Sequence, residues 1–198
     1  MKKHTLMKKF IILGFVLISF IANSQEVKEA SVEKNLNSVA FGLLSLSYQN
    51  EARLDRKMTL RSEIGLTTGS SMRDYNGQKE TSFLIVPFLN LEPRWYYGLD
   101  RRNRLEKNTK NNSSNYFSLL TSFVSSKTTL VNTKDFETTS FITVTPEYGF
   151  RRSTGKHFYW EGSAGIGYKH NFFDKSHTYT TDKNEMYIDV QYKFGYIF

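Results

Sequence analysis

Apolar and polar residues alternate with a period of two along most of the chain. The C-terminal segment shows the pattern best, because its intervening positions include Asp189, Lys193 and Gly195. One parity there carries only apolar side chains: Met186, Ile188, Val190, Tyr192, Phe194, Tyr196 and Phe198. Successive side chains of a β-strand point to opposite faces, so the pattern predicts a strand that separates two environments.

The same sorting recurs upstream and predicts a protein built of strands. The segment 38–49 is apolar on both parities over its first half, so its orientation stays open. Counting this segment, the pattern predicts seven strands, at 38–49, 57–69, 82–97, 115–130, 137–151, 157–171 and 185–198.

Two all-β architectures are compatible with this alternation, a soluble sandwich and a membrane-spanning barrel. The polar face mixes charges with Gly and Ser, which suits a narrow lumen that side chains must fill. The predicted strands are also longer than the roughly 5 or 6 residues usual in soluble sheets. The apolar face carries aromatic residues near strand ends, where they suit a membrane interface: Trp95, Tyr97, Tyr148, Trp160, Tyr168, Tyr192 and Tyr196. These features favour an antiparallel up-and-down transmembrane β-barrel over the sandwich.

The three prolines, Pro87, Pro93 and Pro146, all fall inside predicted strands. Each removes a ladder hydrogen bond, and a closed barrel has no free edge to accommodate it. We therefore expect β-bulges at these positions, or gaps in the ladder near a rim.

The first 24 residues have the layout of a cleaved secretory signal peptide. Four lysines precede a charge-free stretch from Phe10 to Ala22, and small residues at Ala22 and Ser24 predict cleavage after Ser24. The stretch spans about 20 Å as a helix, short of the roughly 30 Å hydrocarbon core, so a membrane anchor is the weaker interpretation. Cleavage leaves 23 Lys and Arg against 19 Asp and Glu, a formal charge of +4. This small excess gives no support to a nucleic-acid partner.

The chain resembles the small outer-membrane β-barrels of Gram-negative bacteria, the class of outer-membrane protein A-like and porin-like barrels. The resemblance rests on the export signal, the alternation, the run 92–97, the strand end 149–152 and the aromatic closing strand. It implies an outer-membrane location among lipid and lipopolysaccharide. It also implies that the barrel assembly machinery reads the closing strand through Tyr192, Phe194, Tyr196 and Phe198.

Single-chain bacterial barrels have an even number of strands, so the seven predicted strands call for an eighth. The candidate is the N-terminal segment 25–36, as a first strand or a short helix, ahead of a barrel over 37–198. With Phe198 at the periplasmic side, alternation places 70–81, 131–136 and 172–184 outside. It places 50–56, 98–114 and 152–156 inside.

Ten charged residues fall on the predicted inward parities, five cations and five anions. Eight strands enclose space only for side chains, so we expect the charges to pair across the lumen and exclude a continuous water column. A proton or ion path through the same charges is the alternative. The ten are Arg61, Glu63, Glu92, Arg94, Glu147, Arg151, Glu161, Lys169, Asp189 and Lys193.

No motif in the chain indicates a catalytic activity, a cofactor or a metal. His157, His170 and His177 lack metal-site spacing, and there is no Cys. Lipopolysaccharide deacylases of the barrel class place a Ser two residues after a His, but Phe172 occupies that position after His170. We expect a non-enzymatic barrel with a plugged lumen, which acts in envelope integrity or surface interaction. A lipid A modifying enzyme and a narrow channel are the alternatives, and the ligand of the loops is not indicated.

Overall fold

The computed structural model describes residues 29–75, 78–133, 139–173 and 182–198, with the side chains of 71–80 left out of the description. The predicted signal peptide lies outside the described residues. Over those residues the protein is all-β: eight strands form a closed antiparallel up-and-down barrel. No helix in these ranges is long and apolar enough to cross a membrane.

Eight of the nine strands are long and form the wall, while β6 is a two-residue strand that continues β5 along the edge of β4. A six-residue helix α1, Leu99–Arg104, and a 3₁₀ turn, Lys110–Asn112, lie between β4 and β5. The strands are β1 Asn35–Gly42, β2 Ser45–Asp55, β3 Met58–Tyr75, β4 Gln78–Trp95, β5 Asn115–Val124, β6 Val131–Asn132, β7 Ser140–Thr154, β8 Phe158–Phe172 and β9 Asn184–Ile197.

Sequential strands pair with each other, and β1 closes the ring by pairing with the last strand, β9. All of these pairings are antiparallel. The first two strands, β1 and β2, form a short hairpin and are joined only by Leu43 and Leu44.

The origin of the eighth strand differs from the prediction. The segment predicted as one strand at 38–49 is two strands, and residues 29–34 form neither strand nor helix. The inward parity changes across the turn, since Ser38 and Ala40 are buried in β1 whereas Ser47 and Gln49 are buried in β2. This change explains why both parities are apolar over the first half of the segment. The predicted turn at 50–56 is also mostly strand, because β2 continues to Asp55.

Each proline lies at an interruption of one ladder. The β4–β5 ladder skips Pro93 between the pairs Leu91–Thr121 and Arg94–Ser118, with the same register on both sides. The β7–β8 ladder likewise skips Pro146, and Pro87 lies between the β5 and β6 pairings of β4. The expected ladder gaps are therefore present without bulges, although Pro93 and Pro146 lie within long ladders and not near a rim.

Glycines on the inner face make room for two buried tyrosines. A Cβ at Gly195 would lie 2.1 Å from the Tyr159 ring, and one at Gly149 would lie 2.4 Å from the Tyr116 ring. Each ring therefore occupies the space above a glycine on a neighbouring strand. The mixture of glycine and charge on the polar parity thus follows from the narrowness of the interior.

The outer face of the barrel is a continuous apolar surface with aromatic clusters. Trp95, Tyr97, Phe117 and Tyr148 contact each other on adjoining strands, and Trp160 contacts Tyr192 further around the wall. Exposed apolar side chains of this face include Phe41, Leu46, Ile64, Leu66, Leu89, Leu91, Leu119, Ile166, Ile188, Val190 and Phe194.

The two ends of the barrel differ in their connections. One end, here called the turn end, carries the connections 56–57, 96–114 and 155–157 together with the C-terminus. The opposite end, called the loop end, carries the connections 76–77, 125–139 and 173–183, and the additional short connection 43–44 lies on the same side. The grouping of connections therefore agrees with the predicted one, including the long connection 98–114.

The turn end is covered by the N-terminal segment and by the connection between β4 and β5. Val32 packs with Tyr96, Leu99 and Tyr116 in a buried cluster. The Val32 amide donates to the Arg56 carbonyl at 2.9 Å, which ties the N-terminal segment to the β2–β3 turn. Helix α1 is thus held by Leu99 against the end of the lumen.

Candidate functional site: the charged interior and the loop-end cavity

Four cations and four carboxylates form one buried cluster inside the barrel, here called the lumen cluster. Every member is largely inaccessible to solvent, and the side chains of Arg61, Arg94 and Arg151 are among the largest fully buried ones. The cluster consists of Arg61, Arg94, Arg151 and Lys193 with Glu51, Glu63, Glu92 and Glu161.

Strand register places opposite charges side by side. Arg61 of β3 lies directly opposite Glu51 of β2 on one side and Glu92 of β4 on the other. Across the barrel, Glu161 of β8 lies opposite Arg151 of β7 and Lys193 of β9. Two rows of alternating charge therefore face each other in the lumen.

Glu161 connects the two rows, because its carboxylate contacts three arginines. Arg94 Nη1 donates to Oε2 at 3.1 Å, Arg151 Nε donates to Oε2 at 3.0 Å, and Arg61 Nη1 donates to Oε1. Arg61 and Arg94 also share the carboxylate of Glu92, so the contacts form a closed network.

Neutral side chains complete the coordination of the other two carboxylates. Lys193 Nζ donates to both oxygens of Glu63 at 2.9 Å, and Ser47 Oγ donates to Oε1 at 2.6 Å. Glu51 accepts from Arg151 Nη1 at 2.7 Å. It also accepts hydrogen bonds of 2.8–2.9 Å from Thr59, Tyr96 and Asn112. Buried carboxylates are tolerated only when their oxygens are paired in this way.

The guanidinium groups of two arginines lie over aromatic rings. The guanidinium of Arg94 lies 4.1 Å from the centre of the Tyr116 ring, and that of Arg151 lies 4.6 Å from the Tyr159 ring. The glycines that admit these rings therefore also position the guanidinium groups. Cation–π contacts of this kind are stronger when the cation is desolvated.

Seven of the ten predicted lumen residues belong to the cluster, and three lie elsewhere. Lys169 pairs with Glu185 at 2.6 Å towards the loop end, where both side chains are partly exposed. Glu147 and Asp189 form no ion pair with the residues that the structure describes; both accept from the amide of Gln191, at 3.4 and 2.8 Å. The expected pairing of five cations with five anions is therefore wrong. Parity assigns a residue to the inner face, but it does not assign a height along the barrel axis.

Sequence reasoning missed Glu51, a member of the cluster. The surrounding run 50–56 is rich in charge, and this composition predicts a turn there. The signal was present, because Ser47, Gln49 and Glu51 are the polar partners of Leu46 and Tyr48 on the other parity. The contribution of Asn112 had no local signal, since it comes from the connection that folds over the turn end.

A cavity of about 620 Å³ lies on the loop-end side of the lumen cluster. Its inner wall is apolar near Phe88, Leu120 and Val124, and polar near Asn90 and Ser122. The remaining lining residues that bear on its chemistry are Thr143, Lys169, Glu185, Tyr187, Asp189, Gln191 and Lys193.

An ion-pair group on the turn end attaches helix α1 to the β2–β3 turn. Arg56 Nη1 donates to Asp100 Oδ1 at 3.0 Å, and Lys57 contacts Oδ2 of the same carboxylate. Burial would raise the pKa of Asp100, but the hydrogen bonds from Lys57 and Arg56 outweigh it and hold the pKa below its ordinary value.

The four aromatic residues predicted as an assembly signal lie on the outer face of the chain end. Tyr192, Phe194, Tyr196 and Phe198 are exposed and alternate with the buried Lys193, Gly195 and Ile197. Their role as an assembly signal stays a prediction.

No protein-family model matches this chain, and comparison with curated proteins and with solved structures gives no significant match. The fold therefore carries the classification. The protein is an eight-stranded closed antiparallel barrel with an apolar outer face and a charged interior, an architecture consistent with outer-membrane-type barrels.

Proposed function

We propose that this protein is an integral barrel of the bacterial outer membrane, exported by a signal peptide and surrounded by lipid and lipopolysaccharide. The apolar outer face with its aromatic clusters supports this location, since a water-soluble barrel would present polar side chains there. The aromatic closing strand is then the segment that the assembly machinery reads. The loops at the loop end face the cell exterior and the turn end faces the periplasm.

We further propose that the barrel is non-enzymatic and closed to ions, and that it acts in envelope integrity or surface interaction through its loops. The observation that carries this proposal is the lumen cluster, in which eight interlocked charged side chains lie across the barrel interior on the turn-end side of the cavity. Salt-bridged side chains packed across a narrow lumen leave no continuous water column.

Planar-bilayer recordings of the purified full chain test the closed lumen. We expect no stable openings from the unmodified protein. The charge-balanced double variant Glu92→Ala/Arg94→Ala removes two side chains from the seal and should produce ion-selective openings. The matched control, Lys169→Ala/Glu185→Ala, removes an ion pair near the loop end and should stay closed. Stable openings of the unmodified barrel would instead establish a channel.

Cell fractionation tests the location in the same expression system. We expect the protein in the outer-membrane fraction, extracted only with detergent, and a band that changes mobility on heating. Recovery in the soluble periplasm without detergent would contradict the membrane location. Lipid A mass spectra that change on expression would contradict the non-enzymatic role.

A further inference from the structure

The barrel wall is incomplete beside the β1–β2 hairpin. The β1–β9 pairing begins at Ser38–Ile197 and ends at Gly42–Lys193, whereas the β8–β9 pairing continues to His170–Asn184. Among the described residues, 184–192 of β9 therefore have a ladder partner only on the β8 side. This length corresponds to about 30 Å of strand.

The opposite side of the opening is formed by β3. Its ladder with β2 ends at Ser45–Thr67, followed by a 3.0 Å hydrogen bond from the Thr68 amide to the Leu44 carbonyl. The β3–β4 ladder continues to Tyr75–Gln78, so β3 rises well above the hairpin. We call the opening between β9, the hairpin turn and β3 the lateral slot.

Exposed apolar side chains border the lateral slot at the hairpin turn and along β9. Leu43 and Leu44, at the tip of the hairpin, are 85% and 65% exposed, although turns normally carry polar residues or glycine. On β9, Ile188 is 78% exposed beside the slot, with Met186 and Val190 on the same face. An apolar turn next to an apolar strand face indicates that the slot opens at the depth of the hydrocarbon region and not above the membrane.

The cavity described above lies behind the slot. Its lining includes Leu43, Leu44 and Ser45 of the hairpin turn, and also Val190 and Tyr192 from the outer face of β9. The cavity therefore reaches the outer surface through the slot. An open sheet edge at membrane depth is tolerated where it borders a polar cavity, and this cavity supplies that environment.

One buried hydrogen-bond acceptor in the cavity, Asn90 Oδ1, has no donor, and one carboxylate, that of Asp189, has no cation as a partner among the described residues. Asn90 is buried, and its Nδ2 donates to Glu63 Oε2 at 3.1 Å, which fixes the orientation of the amide. Its Oδ1 has no hydrogen-bond partner among the described residues. Asp189 is partly exposed; it accepts from the Gln191 amide, which also reaches Glu147, and it hydrogen-bonds to Glu147, but it is in no ion pair with the described residues. A ligand group that supplies several N–H donors and a positive charge would satisfy both positions.

We propose that the lateral slot admits a single-chain membrane amphiphile with a primary amine head group. The ammonium group enters the cavity and donates to Asn90 Oδ1 and to Asp189, while the acyl chain leaves through the slot over Leu43 and Leu44 into the lipid. The proposal rests on the membrane location given under Proposed function. It assigns to the barrel a lipid ligand held from the side, in addition to contacts made by its loops.

Binding of two lysophospholipids to the full chain in nanodiscs tests the proposal. Lysophosphatidylethanolamine has an ammonium head with N–H donors, whereas lysophosphatidylcholine has the same formal charge without them. We expect native mass spectrometry to show at least about tenfold tighter retention of the ethanolamine lipid. We also expect a photoreactive form of it to label residues that line the cavity. Free ethanolamine, which lacks the chain, should not compete at equal concentration.

Variants of the cavity and of the outer face give matched controls. Asp189→Asn removes the carboxylate charge without changing its shape, and Ser122→Trp fills the cavity beside Asn90, its partner in the β4–β5 ladder. Each should lower the retention of the ethanolamine lipid at least about tenfold. Leu119→Trp adds the same ring to the exposed outer face of β5, which does not border the slot, and should leave binding unchanged.

Three results would overturn the inference. Equal retention of the two lipids would refute recognition of the amine, and labelling confined to the outer face would refute entry through the slot. Crosslinking of two copies through the free edge of β9 would show that a second barrel covers the slot instead. Membrane insertion and closed conductance are measured on the same samples. If the protein inserts and stays closed but does not bind the lipid, only this inference is refuted. If insertion or closure is lost, the proposed function is refuted as well.

Discussion

Among single changes in the lumen cluster, removal of the Glu161 carboxylate should cause the largest loss of stability. Glu161→Ala leaves Arg61, Arg94 and Arg151 without the acceptor that all three contact, so the cluster then holds four cations and three carboxylates. Breaking a buried ion pair from one side typically costs about 3–5 kcal/mol, because the remaining charge stays buried. We expect a loss of this size, which lowers the folding equilibrium constant roughly 140- to 4,000-fold.

Reversible urea unfolding of the protein in lipid vesicles measures this loss. The two tryptophans, Trp95 and Trp160, both lie on the outer face, so their fluorescence reports release from the bilayer and not a local change at the mutated site. Glu161→Gln keeps the shape and one acceptor oxygen, and we expect it to cost less than the alanine variant. The double variant Glu161→Ala/Arg61→Met restores the charge balance, so it should lose less than the sum of its single changes.

A matched control separates burial from ion pairing as such. Glu185→Ala breaks the partly exposed pair with Lys169, and pairs of this kind contribute about 0.2–1 kcal/mol. If Glu161→Ala cost no more than Glu185→Ala, the carboxylate could not be a buried connection between three arginines. The described network would then be wrong as an account of the stability of the barrel.

Two further predictions concern a glycine of the inner face and the ion pair of the turn end. Gly195→Ala should destabilise the barrel by about 1–3 kcal/mol in urea unfolding, because its Cβ would meet the ring of Tyr159, which is held by a 2.9 Å hydrogen bond to Gln49. Gly69→Ala, whose Cβ finds ordinary contacts at 3.8 Å, is the control, and equal losses for the two variants would contradict the steric account. Asp100→Asn should lower stability by about 0.2–1 kcal/mol near neutral pH. The pKa of Asp100 is lower in the folded protein than in the unfolded chain. The carboxylate therefore stabilises the fold at pH values above its unfolded-state pKa, and this stabilisation is lost as the pH falls through its folded-state pKa. The difference from the unmodified protein should therefore shrink below about pH 4, and a difference that is independent of pH would refute the ion pair.

The alternation of apolar and polar side chains allowed most strands of the barrel to be predicted from the sequence. In β9 every second residue from Met186 to Phe198 is exposed, as its apolar parity predicts. The alternation is local, because it depends only on the pleat of one strand. The first hairpin escaped prediction for an equally local reason. Its turn consists of Leu43 and Leu44, which lack the Gly, Asn or Pro signals that mark turns in a polar setting.

The period-two alternation predicted a protein made of strands and the inner or outer face of most of their residues, although not the orientation of 38–49 or the inward position of Glu51. Which inward charges meet follows only from the closed barrel. Arg61 reaches Glu161 and Arg151 reaches Glu51, each across 100 residues of chain, while Lys169 on the same parity as Glu161 is carried to the loop end. The physical reason is that strand tilt and stagger set the height of each residue when the sheet closes, and neither quantity is encoded in the period of a single strand.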